Sequence, residues 1–564
     1  MFYNNLKSKS LLFSISIILA FFVFTSINAA TLGEVKNFYV DPAYDISARQ
    51  NISGQLILET GKIYFYIDSS WWSGFSAEVK NEMQNNLLAL GDEFSNRIYP
   101  MLTSNYGYEP NPGVDNDPKI AVLFHQLKRG AGGYFNSGNE YSKYEVPASN
   151  EREMVYLNSD YLASPLLKRL LAHEFAHLIT FNQKEKLNNI EEEVWLNEAR
   201  AEYAITLCGY DAVYSGSNIQ KRVVEFLKNP NDSLIDWQGI ASDYGVLNIF
   251  IQYLVDQYGT KILSDSLKSN YSGIGSINYA LTKYGYAEKF SDVFNDWTVA
   301  VLINDCSYGM KYCYKNPNLK NLKVIPILNS ILSDSGSAVS VNYFSKSWAG
   351  HWDKITNAKG GLNFDFSGDK NGIFAVNYIL CDKLNKCVIK SLALDSSQNG
   401  KISIDNFYDN YSSLIIVSFL KNTDNNSLQF SLGARAGGQT TIIDDNSGLL
   451  ARIEELKKQI SAIKAQLNAG KQKSPSFCEP LNVNLYFGLI NNSDVSCLQQ
   501  FLKNQGRDIY PEGLVTGNFY SKTKTAVIKF QEKYSSEILK PLGLSKGTGY
   551  VGISTRTKIN NLLP

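Results

Sequence analysis

The sequence predicts a multidomain protein: an α+β domain that is strand-rich and then helical, a β-sandwich, a short coiled-coil helix and a small helical C-terminal domain. Three observations carry this. The chain has 564 residues, well beyond the roughly 100–200 that one hydrophobic core supports. A strand-rich stretch gives way at Ser164 to helical periodicity, which after about residue 325 yields to alternating strands broken by Asn, Asp, Ser and Gly turns. Leu449, Ile453, Leu456, Ile460, Ile463 and Leu467 then repeat at spacings of four and three, a heptad seam under three heptads long.

Taken in order, the first 30 residues carry Lys7 and Lys9, an apolar run from Leu11 to Phe24, and small residues at Ala29 and Ala30, the order of an export signal placed at 1–29. That run is shorter than the ~20 residues of a membrane span, so a mature protein released outside the cytoplasmic membrane is expected, with an uncleaved anchor as the alternative. The α+β domain occupies 31–328, and the sequence leaves open whether about 31–60 is a removable propeptide. Lys62 to Ile67 and Lys119 to Phe124 read as strands, with an amphipathic helix from Ala77 to Ile98 between them. The turn from Glu109 to Pro118 contains Asp115 and Asp117, residue types that bind Ca²⁺ but more often cap turns. A Gly-rich aromatic stretch, Gly130 to Tyr141, precedes a strand near Met154 to Leu157.

Ser164-Pro165 reads as a helix start, with the apolar run reaching Phe181. Further helices are expected from Glu192 to Leu207, Gly245 to Tyr258 and Phe290 to Leu302. Strands such as Gly361 to Phe366, Ile373 to Leu380 and Leu414 to Phe419 place the β-sandwich at 331–440. A helical spacer and linker follow at 445–475, and the last domain covers 478–564.

Lys and Arg total 54 against 54 Asp and Glu, spread along the chain, so no basic field exists to attract nucleic acid. Six of seven cysteines fall into close pairs, Cys306 with Cys313, Cys381 with Cys387 and Cys478 with Cys497, which suits an oxidising compartment. Cys208 is left over and reads as a small buried hydrophobe.

The chemistry concentrates on His173-Glu174-Phe175-Ala176-His177, where a spacing of four on a helix puts both imidazoles on one face. Leu170, Leu171, Phe175, Leu178 and Ile179 make this helix a buried one, so its His and Glu side chains demand compensation that a metal ion supplies. On the next helix, Glu198 in Trp195-Leu196-Asn197-Glu198-Ala199-Arg200-Ala201-Glu202-Tyr203 can give the third ligand. Two His and one carboxylate leave a zinc ion one open position. Glu202, one turn further on, can accept the free N–H of a ligand His or stand as a solvated carboxylate. Glu174 is the expected base, and Tyr203, Tyr244, His125 and His351 are the candidate donors to an oxyanion, with Tyr244 preferred. Gly132-Gly133-Tyr134-Phe135 reads as a hairpin or as an edge strand able to pair with an extended peptide.

HExxH followed by WLNE-x-x-AEY resembles the gluzincin zinc peptidases, and residues about 60–320 look most like the hyicolysin family of secreted neutral metallopeptidases. The resemblance implies a zincin-like fold, Zn²⁺ on His173, His177 and Glu198, and Glu174 as general base. Ala199-Arg200 departs from the aminopeptidase pattern, and no GAMEN-like segment is present to hold a free amine, so the resemblance favours an endopeptidase.

At the C-terminus, Val495-x-x-Leu498-Gln499-x-x-Leu502, Gly517-x-Phe519-x-x-x-Thr523-x-x-Ala526-Val527-x-x-Phe530-Gln531 and Val551-Gly552-x-x-Thr555 resemble the three-helix peptidoglycan-binding domain. That resemblance implies attachment to a bacterial cell wall. The substrate is then expected to be protein or peptide. Cleavage of peptidoglycan stem peptides, or a noncatalytic wall-binding or adhesion role, are the alternatives.

Overall fold

A computed structural model describes residues 31–422, 427–437, 480–489, 492–511 and 513–563. The expected export signal (1–29) and the helical spacer and linker (445–475) lie outside the described residues.

Strands β1 (Val35–Tyr39), β2 (Asn51–Glu59), β3 (Ile63–Asp68), β4 (Ile120–His125), β5 (Gly133–Phe135) and β6 (Met154–Asn158) form one sheet in the order β1-β2-β3-β4-β6-β5. The central β3, β4 and β6 run parallel and are buried along their whole length, as apolar runs covered on both faces require. β1 and β2 pair antiparallel on one side, and β5 closes the other as an antiparallel edge strand. Residues 31–60 are therefore built into the sheet. Arg49 ties them down by bonding Asp45 and Asp68 at 2.8 and 2.7 Å.

The helices that position the site are α1 (Ala77–Glu93), α2 (Leu167–Phe181), α3 (Val194–Leu207), α4 (Asn218–Lys228), α5 (Ala241–Tyr258) and α6 (Phe290–Ile303). α1 continues through a π turn, Phe94–Ile98. α2 begins two residues after the expected Ser164-Pro165 start, because Ser164 caps a preceding turn by accepting from the Leu166 N–H at 3.2 Å. Gly245 lets α5 pack closely on α4, since a Cβ there would stand 2.5 Å from the Phe226 backbone nitrogen.

The next unit has two antiparallel-dominated sheets sharing one core. β12 (Cys387–Ser391), β11 (Phe374–Asp382), β14 (Tyr411–Leu420), β9 (His351–Thr356) and β7 (Ile327–Ile331) make the first, in that order. β13 (Asn399–Ile404), β10 (Leu362–Gly368), β15 (Leu428–Ala436) and β8 (Ala338–Ser345) make the second. The unit is bolted to the first domain: Trp348 and Phe419 pack on Phe294 of α6, and Trp352 Nε1 donates to the Thr298 carbonyl at 2.8 Å. Their apolar side chains belong to one continuous core.

The C-terminal module packs α7 (Ser493–Asn504), α8 (Ser521–Lys533) and α9 (Ile553–Leu562) around Leu498, Phe501, Val527, Phe530 and Ile559. It is internally repeated. Gln499 accepts from the Thr516 and Gly517 N–H groups and donates to the Asn518 carbonyl and Thr523 hydroxyl. Gln531 does the same for Thr548, Gly549, Tyr550 and Thr555.

Cys306 bonds Cys313, and Cys381 bonds Cys387. Cys497 is disulfide-bonded; its expected partner, Cys478, lies outside the described residues. Cys208 is free and buried.

Candidate metal centre

α2 and α3 pack against each other and bring His173, His177 and Glu198 together. The two Nε2 atoms stand 3.2 Å apart, and Glu198 oxygens lie 3.4 Å from His173 Nε2 and 3.7 Å from His177 Nε2. Two donors held 2.0–2.1 Å from one tetrahedral ion are separated by roughly 3.3–3.4 Å, so this spacing suits a zinc-sized ion. Glu198 Oε2 is buried without a hydrogen-bond donor, which a cation would satisfy. Among the described residues, these three make the one cluster of His, Cys, Asp or Glu able to hold a metal.

The three side chains are aimed from behind. His177 Nδ1 lies 3.0 Å from Asn197 Oδ1, an acceptor that fixes the Nδ1–H tautomer and leaves Nε2 as the donor to a metal. Glu202 Oε1 stands 3.6 Å from His173 Nδ1. Glu202 is 1% exposed, so it is a buried support and not a solvated carboxylate. It accepts from Arg222 at 2.8 and 2.6 Å, from Asn218 at 2.7 Å and from Asn248 at 3.1 Å. Burial raises its proton affinity, but Arg222 overrides this and holds it down at about 2. Burial likewise opposes charge on both imidazoles; Glu198, Glu174 and Glu202 nevertheless raise His173 to about 9, while His177 stays lowered.

Glu174 shares this helix but is not part of the ligand cluster. Burial, with the Glu198 charge adding to it and His173 opposing, raises it to about 8. It packs against the edge strand: a Cβ on Gly133 would stand 2.9 Å from Glu174 Cγ, so only glycine lets the two approach this closely. Both line a cleft of about 1430 Å³ with the three ligands, Tyr244 and Tyr44. That volume exceeds the ~300–1,000 Å³ of small-molecule pockets and suits a chain-like substrate.

The four oxyanion candidates separate. Tyr244 lines the cleft, beneath the Arg222 guanidinium at 4.5 Å and beside Trp237. Tyr203 is buried in the apolar core instead. His125 is fully buried between Asp45 and Tyr134, at 3.1 and 3.3 Å. His351 sits on β9 at the junction with Asn231, where burial lowers it to about 4. Asp115 and Asp117 cap their own turn, and Asp117 also accepts from Tyr64. Sequence reasoning passed over Asn197, Asn218, Arg222 and Tyr44. Asn197 stood beside Glu198 inside the quoted motif, whereas Tyr44 lay in a segment with no chemical signature.

Comparison with known proteins bears on the C-terminal end. A family described as a peptidoglycan binding domain matches residues 491–559, the segment of α7, α8 and α9. The C-terminal module is a peptidoglycan-binding domain. No curated protein matches the chain. Among solved structures, a family GH115 4-O-methyl-alpha-glucuronidase with specificity for decorated arabinogalactans is similar at 8% identity and a TM-score of 0.13. The match covers 59% of this chain and 54% of that one, so the chain spans about half the length of that protein, and a likeness this slight carries no argument. The peptidoglycan-binding domain points to the cell wall as the place of work, and no helix among the described residues is long and apolar enough to cross a membrane. Asn518 and Tyr520 of the peptidoglycan-binding domain also line the cleft that holds His173, His177 and Glu198.

Proposed function

We propose that the chain is an exported, cell-wall-associated zinc metalloendopeptidase with a zincin-like catalytic domain. The observation that carries this is the spacing of His173 Nε2, His177 Nε2 and the Glu198 carboxylate in a cleft that also contains Glu174. His173, His177 and Glu198 would hold a zinc ion, which would supply Lewis-acid chemistry for hydrolysis near neutral pH. Glu174 would act as the base in its ionised form, which the charge of a bound zinc ion favours against the burial that raises it, taking a proton from the attacking water and delivering it to the leaving amide nitrogen. Its burial suits a proton carrier, because solvent does not compete for the carboxylate. Tyr244 donates its hydroxyl hydrogen to the oxygen on which negative charge builds. Asn197 and Glu202 hold the imidazoles in register while this happens. β5, whose outer edge is unpaired within the sheet, aligns the substrate backbone as an added strand.

A second reading, a wall-binding protein without turnover, is favoured by the peptidoglycan-binding domain match alone. The discriminating experiment offers the mature protein casein and purified peptidoglycan, with and without chelator, and counts new amino termini. Chelator-sensitive release from either substrate supports the peptidase, and the substrate cut faster separates protein from stem peptide. Wall binding with no release from either substrate supports the second reading.

A further inference from the structure

The peptidoglycan-binding domain does not stand clear of the catalytic domain. It rests on the segment between β5 and β6. The Tyr141 ring lies 4.8 Å from that of Phe487, and Lys524 Nζ sits 4.5 Å above Tyr141 and 3.2 Å from Glu145. Val146 is 3% exposed and belongs to the hydrophobic core of the peptidoglycan-binding domain, not to that of its own sheet. The other side of Tyr141 carries Lys186, 4.0 Å from the ring, from the turn that prolongs α2. The same segment is thus gripped by the metal helix and by the wall-binding unit.

The contact has a direction. Of the two equivalent turns that Gln499 and Gln531 lock, the first, Thr516 to Tyr520, faces the cleft, and its Asn518 and Tyr520 line it; the second, Thr548 to Gly552, does not. Tyr520 thereby joins Tyr44 and the Gly130–Phe135 stretch at the same cavity as His173 and Glu174.

We propose that the peptidoglycan-binding domain completes the substrate cleft, with Tyr520 as a specificity-determining residue that contacts peptides anchored to the wall polymer. The inference rests on the peptidase reading and names its substrate class: peptide segments held on or close to peptidoglycan, delivered along β5 under the first turn. Binding of the polymer by the same domain that walls the cleft turns capture into a local concentration of substrate at the metal.

The test uses the full chain with zinc, and four variants: Tyr520→Ala, Tyr520→Phe, Lys524→Glu, and Lys524→Glu with Glu145→Lys. KM and kcat are measured on purified peptidoglycan with its attached peptides and on casein, beside zinc content, wall binding and hydrogen exchange of residues 141–149. Tyr520→Ala is expected to raise KM on the wall substrate about fivefold, the weight of one aromatic contact, with kcat, zinc and wall binding unchanged, and Tyr520→Phe to behave as wild type. Lys524→Glu is expected to lose exchange protection at 141–149 and raise KM, and the charge-swapped double variant to recover both. Unchanged KM in Tyr520→Ala beside an active wild type overturns this inference alone. Faster turnover in Lys524→Glu overturns it too, since the domain would then be a plug. A wild type that binds zinc and wall but cuts neither substrate overturns the peptidase reading, and this inference with it.

Discussion

Arg222→Met probes how the proposed metal centre is supported. Arg222 makes two bonds to Glu202, which sits 1% exposed behind His173. Without the guanidinium the carboxylate keeps Asn218 and Asn248 as hydrogen-bond donors, with His173 Nδ1 3.6 Å away. The carboxyl's own proton affinity gives the size of the effect: a fall from 4.5 to about 2 is worth about 3 kcal/mol in favour of the folded, ionised state. That sits at the low end of the ~3–5 kcal/mol measured for breaking buried ion pairs. At about 2 °C per kcal/mol for a body of this size, melting should fall by roughly 6–10 °C. Because the folded pKa is depressed, the stabilisation is complete above about 4.5 and disappears as pH falls towards 2, and this acid limb should flatten in the variant. Loss of a fixed partner behind His173 should also weaken metal binding about 10–100-fold. Scanning calorimetry across pH and chelator competition read the two effects. A variant that melts with the wild type and holds metal as tightly refutes the reasoning.

Three further predictions concern separate parts of the molecule. Burial raises Glu153 from 4.5 to about 7 and raises its buried neighbour Glu140 as well, so the folded protein keeps protons there that the unfolded chain has lost, and stability should decline as pH rises above 4.5, with up to ~3 kcal/mol of the decline from Glu153. Glu153→Gln keeps an acceptor for the Val114 N–H and should flatten the decline in melting curves; an unaltered pH slope counts against it. Tyr244→Phe should lower kcat about 10²–10³-fold with KM little changed in steady-state assays, and an equal rise in KM would make it a binding residue instead. Gln531→Ala strands the Thr548 and Gly549 N–H groups, at about 1–3 kcal/mol each, and should lower the melting of the peptidoglycan-binding domain and its retention on purified wall; unchanged melting means water replaces the amide.

The meeting of His173, His177 and Glu198 was legible because helix geometry converts a spacing of four into a shared face, and because carboxylate and imidazole side chains on an apolar helix need a partner. The supports were harder to read. Arg222 and Asn218 lie on α4 and Glu202 on α3, so their meeting is a tertiary fact with no local signature. Glu202 could be named but not assigned between solvent and core until its neighbours were placed. Tyr44 was invisible for another reason: β1 and β2 join the sheet by long-range pairing, so nothing local tied residues 31–60 to the site. The internal repeat of the peptidoglycan-binding domain was present in the letters, as Val495-x-x-Leu498-Gln499 and Val527-x-x-Phe530-Gln531 with Thr516-Gly517 and Thr548-Gly549. Its meaning needed the hydrogen bonds that show each Gln locking a turn.

The most direct test pairs wild type with Glu174→Gln, measuring bound metal and turnover of a mixed protein substrate on the same preparations. The account predicts about one zinc per chain in both, chelator-sensitive cleavage by the wild type, and loss of cleavage in Glu174→Gln with its zinc retained. A wild type without metal at His173, His177 and Glu198, or a Glu174→Gln protein that cuts as fast, contradicts it.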